Sequence, residues 1–91
     1  MDGQIGIAMQ LVQMIVYANE TSSETELVVE PWGEIYLIAP GDKVQIVGTG
    51  GEPGSAFELH QTPAGVTIFG WVGSIVSVLR DGSVVQPSPE R

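Results

Sequence analysis

The residues best suited to chemistry in this chain form two small groups. In the first, Glu30-Pro31-Trp32-Gly33-Glu34, followed by Tyr36, sets two carboxylates and an indole around a turn. If that turn joins two strands, Glu30 and Glu34 end opposing strands. Like charges held so close raise one pKa or attract a divalent cation. Calcium needs more oxygens than two carboxylates supply, and no Asp-rich loop follows. Trp32 at the tip either stacks on a ligand ring, such as a sugar, or folds back over the sheet. Glu30, Trp32, Glu34 and Tyr36 are therefore the candidate ligand-binding residues, with a solvated structural turn as the plainer alternative. In the second group, Glu58 and His60 stand two apart on a strand and point the same way. A carboxylate beside an imidazole can orient a general base or begin a metal site.

Neither group extends to a complete catalytic set. His60 is the single histidine, so every two-histidine metal motif is excluded. Ser22, Ser23, Ser55, Ser74, Ser77, Ser83 and Ser88 all lie outside a Gly-x-Ser-x-Gly elbow, so a hydrolase built on His60 is the least supported reading. Gly48-Thr49-Gly50-Gly51-Glu52-Pro53-Gly54-Ser55 is glycine-rich, but it lacks the lysine of a phosphate cradle, and Glu52 would repel an anion. That stretch reads as a flexible loop, a candidate lid over the sheet. Trp71 reads as core or as the wall of a groove. No catalytic residue, metal ligand or cofactor is assigned, and the expectation is that the protein is not an enzyme.

Composition narrows the partners. The chain has 91 residues, 11 acidic against 3 basic, a net charge of −8, and no cysteine. Thiolate metal sites and disulfides are excluded. Nucleic acid is a poor partner, because phosphate binding needs clustered Lys and Arg and the first basic residue is Lys43. No run approaches the roughly 18 apolar residues of a membrane span, and Asp2 stands where a signal peptide needs positive charge. A cytoplasmic location is expected, where the sequon Asn19-Glu20-Thr21 has no meaning. Seven of the 11 acidic residues fall within residues 1–42, where no basic residue occurs, which predicts an acidic edge.

The elements that must position these residues are strands. Valine and isoleucine number 20 against 10 for leucine plus alanine, and β-branched side chains favour a pleated surface. Breakers at Pro31/Gly33, Pro40/Gly41, Gly48–Gly54, Pro63/Gly65, Gly70/Gly73 and Asp81-Gly82 leave no window for a capped helix. Strands are expected near 11–18, 25–30, 34–39, 43–48, 56–61, 66–71, 75–80 and 83–86. Pro31-Trp32-Gly33, Pro40-Gly41-Asp42 and Asp81-Gly82 are turn signals, the last the strongest hairpin signal in the chain. This pattern predicts an all-β fold, a small antiparallel β-sandwich or barrel of seven or eight short strands. Residues 1–86 form a single β-domain, with those before about 14 as a peripheral extension, and residues 87–91 a solvated tail.

Alternation adds one functional hint. Residues 11–18, 34–39 and 75–79 are apolar on both faces, and such strands need cover on both sides. A chain this short buries only roughly 60% of the surface its unfolded form exposes, so a homo-oligomer is expected.

The segment Val29-Glu30-Pro31-Trp32-Gly33-Glu34-Ile35-Tyr36-Leu37-Ile38-Ala39-Pro40-Gly41-Asp42-Lys43-Val44, with Asn19 and Thr21 upstream, resembles a pattern in short bacterial all-β proteins of uncharacterised function. The resemblance spans roughly residues 15 to 47 and implies a small bacterial β-protein without transferable catalytic residues. Pro40-Gly41-Asp42-Lys43-Val44-Gln45-Ile46-Val47 is similar, more loosely, to cupredoxin-like and cupin-like scaffolds, whose metal ligands are missing here. The leading functional expectation is a non-catalytic interaction or self-associating module. Small-ligand or divalent-cation binding at the Glu30-Trp32-Glu34 turn is the alternative.

Overall fold

The computed structural model describes residues 12–89. Its strands are β1 (Val12–Ala18), β2 (Thr25–Glu30), β3 (Glu34–Ile38), β4 (Lys43–Gly50), β5 (Glu58–Thr62), β6 (Gly65–Phe69), β7 (Ser74–Arg80) and β8 (Ser83–Val84). They form two four-stranded sheets, a β-sandwich. Sheet A has the order β1-β4-β7-β8 and sheet B the order β3-β2-β6-β5. Every pairing is antiparallel except β2 with β6, which run parallel. The expectation for residues before 14 lies outside the described residues, apart from Val12 and Gln13, which belong to β1.

Local chemistry explains the strand boundaries. The β7–β8 hairpin turns through Asp81 at φ 52° and Gly82 at φ 82°, the two positive values that a two-residue turn requires. Gly33, at φ 72°, closes the β2–β3 turn after Pro31. Strand β5 starts at Glu58, two residues later than the spacing predicts, because Phe57 turns onto the Trp71 ring edge-to-face at 4.9 Å. Trp71 also donates from its indole nitrogen to the Gly50 carbonyl at 2.8 Å. The glycine-rich loop is thus pinned by a tryptophan and does not act as a free lid. Gly48 is obligatory there, since a Cβ would lie 2.7 Å from both the Phe57 and Trp71 rings.

The core lies between the sheets. Leu27, Val29, Tyr36, Ile38, Val66 and Ile68 come from sheet B, and Val44, Ile46 and Val78 from sheet A. Among the described residues two polar residues are buried as well, Asn19 and Ser74, and Asn19 is the deeper. Asn19, 1% exposed, donates to the carbonyls of Ser23 (2.9 Å) and Ile38 (2.8 Å) and accepts from the Thr21 amide (2.9 Å) and hydroxyl (2.6 Å). Its backbone exchanges bonds with the next turn, Asn19 N to Asp42 O and Gly41 N to Asn19 O. The residue reads as a strut that ties the β1–β2 loop to the β3–β4 turn. The ordered chain also runs further than the predicted tail boundary. The Ser88 amide donates to the Ile35 carbonyl at 2.7 Å, so the segment after β8 crosses from sheet A to the edge of sheet B.

Candidate functional site

The predicted carboxylate pair does not form, and the register is the reason. Val29 lies opposite Glu34, and Leu27 opposite Tyr36. Directly opposed residues share a face, so Glu34 and Tyr36 follow Val29 inward while Glu30 points outward. The two glutamates therefore sit on opposite faces of sheet B. Tyr36 is a core residue whose hydroxyl donates to Glu34 Oε1 at 3.0 Å. Burial first, then the hydrogen bond and the charge of Glu34, push its pKa up to about 12. Its ring is buried and offers no stacking surface. Trp32 is half exposed and leans over Gly70, where a Cβ would meet the indole at 3.2 Å. With Glu34, Ser74, Ile75 and Val76 it lines a shallow cleft of about 250 Å³.

Glu30 finds different company. Across the parallel β2–β6 pairing it lies opposite Phe69, and Phe69 lies opposite Glu58 on β5. The outer face of sheet B thus carries Glu30, Phe69, Glu58 and His60 together. His60 Nε2 is 2.6 Å from Glu58 Oε2, and its ring stands edge-to-face on Phe69 at 5.1 Å. The expected carboxylate–imidazole pair is present, open to solvent on an edge strand. Among the described residues, no group of three or more His, Asp or Glu side chains is placed to hold a metal ion.

Two further surfaces stand out, the first not legible in the sequence and the second legible there only strand by strand. The first is a groove of about 520 Å³ at the seam between edge strands β1 and β5, lined by Tyr17, Thr25, Leu59, Gln61 and Val66 among others. Leu59 lies opposite the fully buried Ile68 and so faces inward, yet it is 51% exposed. Sheet A stops short of it. Tyr17 closes one wall, its hydroxyl 2.9 Å from Thr25 Oγ1.

Comparison with family models, with curated proteins and with solved structures finds no match to this chain. The functional reading therefore rests on the surfaces themselves.

The second surface is the outer face of sheet A. Val12, Met14, Val16, Ile75 and Val84 all stand on it, each between 54% and 69% exposed. The register brings them together: Met14 opposes Val47, Ile75 opposes Thr49, and Val84 opposes Leu79. No carboxylate lies in any strand of sheet A, whereas sheet B carries Glu26, Glu30, Glu34 and Glu58 in its strands. The apolar second faces read from the sequence in β1 and β7 thus lie together and uncovered. No helix of the described residues is long and apolar enough to cross a membrane.

Proposed function

We propose that this domain is a non-catalytic interaction module that self-associates through the outer face of sheet A. The observation that carries the reading is the row of exposed Val12, Met14, Val16, Ile75 and Val84 on a face without a carboxylate. Contiguous exposed apolar patches mark interaction sites. The distribution of charge selects a second copy as the occupant. Two chains of net charge −8 repel, and they repel least where their carboxylates are furthest away. A basic partner would choose sheet B instead. A two-fold contact also matches an apolar patch to itself.

Size-exclusion chromatography with light scattering tests this at micromolar concentration. An oligomer is expected, and Ile75→Glu, which places a charge at the most exposed of the five apolar residues, is expected to lower its mass. A monomeric wild-type chain overturns the reading.

The Trp32 cleft supports a second reading, a small ligand stacked on the indole with Glu34 beneath it. Quenching of tryptophan fluorescence by members of a sugar panel, abolished in Glu34→Gln, would support it. An unchanged spectrum across the panel overturns it.

A further inference from the structure

The two seams of the sandwich are closed differently. On the β8–β3 side, the chain after β8 crosses between sheets, with Val85 N bonded to Val78 O and Ser88 N bonded to Ile35 O. On the β1–β5 side, the loop before β5 covers one end, where Gln13 Nε2 donates to Ser55 O. The other end is the groove beneath Tyr17 and Leu59. Among the described residues β1 pairs with β4 alone, so its second edge is a row of backbone donors and acceptors, a template for another strand.

The chain holds one segment outside the described residues that suits this edge. Residues 1–11 lead directly into β1 and include Ile5-Gly6-Ile7-Ala8-Met9-Gln10-Leu11. Large apolar residues fall at 5, 7, 9 and 11, and small or polar ones between them. That is the period of a strand with one dry face. The same odd positions continue into Ile15 and Tyr17, whose side chains face the other sheet. Its sequence does not favour doubling back on its own β1. A tight reversal at residues 9–12 would need Gly, Asn, Asp or Pro, and Met9-Gln10-Leu11-Val12 holds none. It carries one charge, Asp2, so it can approach an acidic molecule.

We propose that residues 6–12 of a second copy add antiparallel to the free edge of β1, and that the exchange is reciprocal about a two-fold axis close to Val12. Antiparallel addition about that axis sets Ile7 beside Tyr17, Met9 beside Ile15, and Ala8 beside Val16. The inward row of the donated strand then lies over the β1–β5 seam, with Ile5 and Ile7 at the open groove beside Leu59. Seven residues at about 3.3 Å each span the full length of β1. A shift of two residues keeps the same faces, whereas a shift of one would turn every isoleucine out to water. Edge addition of this kind draws its affinity from main-chain bonds and its register from alternate side chains. This contact is separate from the outer-face contact of sheet A.

The absence of cysteine makes cross-linking clean. Full-length Ala8→Cys is mixed with full-length Val16→Cys or with full-length Met14→Cys, under mild oxidation. A disulfide-linked heterodimer of Ala8→Cys with either one is expected. Ile7→Glu in the Ala8→Cys chain should reduce linkage at least tenfold, and Ile7→Val should restore it. Absence of any Ala8→Cys linkage to either one overturns the exchange, because linkage of Met14→Cys to Val16→Cys alone reports the outer-face contact, on which both residues stand. Linkage undiminished by Ile7→Glu would overturn the closing of the groove. Ile75→Glu, two strands in from this edge in the row of Val12 and Thr49 and exposed on the outer face, should leave the disulfide yield unchanged even where it lowers the assembly mass. Loss of the outer-face contact and loss of the exchange are therefore read separately.

Discussion

Asn19 offers the sharpest test of how this small fold is held together. Its side chain makes four hydrogen bonds while 1% exposed. Asn19→Ala removes all four and leaves the Ile38 carbonyl without its buried partner. An orphaned buried acceptor costs about 1–3 kcal/mol, and the bonds nearer solvent about 0.5–1 kcal/mol each once water replaces part of them. The expected loss is about 2–4 kcal/mol, against a total of roughly 5–14 kcal/mol for a chain of this size. With a urea slope of about 1.5 kcal/mol/M, the midpoint should fall by about 2 M. Asn19→Asp keeps the shape but turns a donor into a carboxylate oxygen facing the Ser23 and Ile38 carbonyls. Burial and those two dipoles raise its folded pKa above the unfolded value of about 3.9. Stability of that variant is therefore fullest below about pH 3.9 and is lost as pH rises through the folded pKa. Urea unfolding of the wild type and both variants at pH 4 and pH 7 measures the difference and cancels the carboxylates common to all. A loss below 1 kcal/mol for Asn19→Ala, or an equal penalty for Asn19→Asp at both pH values, would refute the strut.

Other consequences are simpler to test. Tyr36, neutral in the fold up to about pH 12 but ionising near 10 when unfolded, stabilises the protein fully below pH 10. That contribution disappears as pH rises from about 10 to 12, and Tyr36→Phe should flatten the alkaline limb of a stability–pH curve. Gly51→Ala places a Cβ against the Trp71 indole at a backbone φ of 77°. A loss of about 1–3 kcal/mol and a red-shifted tryptophan emission are expected, from strain at that φ and loss of the indole clamp. Ser88→Pro deletes the amide bonded to the Ile35 carbonyl and should cost about 1 kcal/mol by thermal denaturation.

The strands were legible because their signals are local. β-branched runs and glycine–proline breaks place all eight elements within about three residues of where they lie, and Asp81-Gly82 makes the hairpin its residue types demand. The apolar second faces of β1 and β7 were legible for the same reason, since alternation needs only neighbours in the chain. Phe57 was misplaced because its partner, Trp71, is 14 residues away.

The site was far less legible, because opposition across a sheet depends on register. Glu30 and Glu34 look paired in the sequence, three residues of turn between them, yet Val29 rather than Glu30 opposes Glu34. A single-residue offset sends the two carboxylates to opposite faces. The parallel β2–β6 pairing then brings Glu30 to Phe69 and Glu58, residues 39 and 28 positions further along the chain. By itself the sequence determined that this protein is a set of short strands with surplus apolar faces and an acidic charge. Only the tertiary structure decided where the surplus lies, uncovered on sheet A, because closing strands into two sheets depends on long-range pairing that no local propensity encodes.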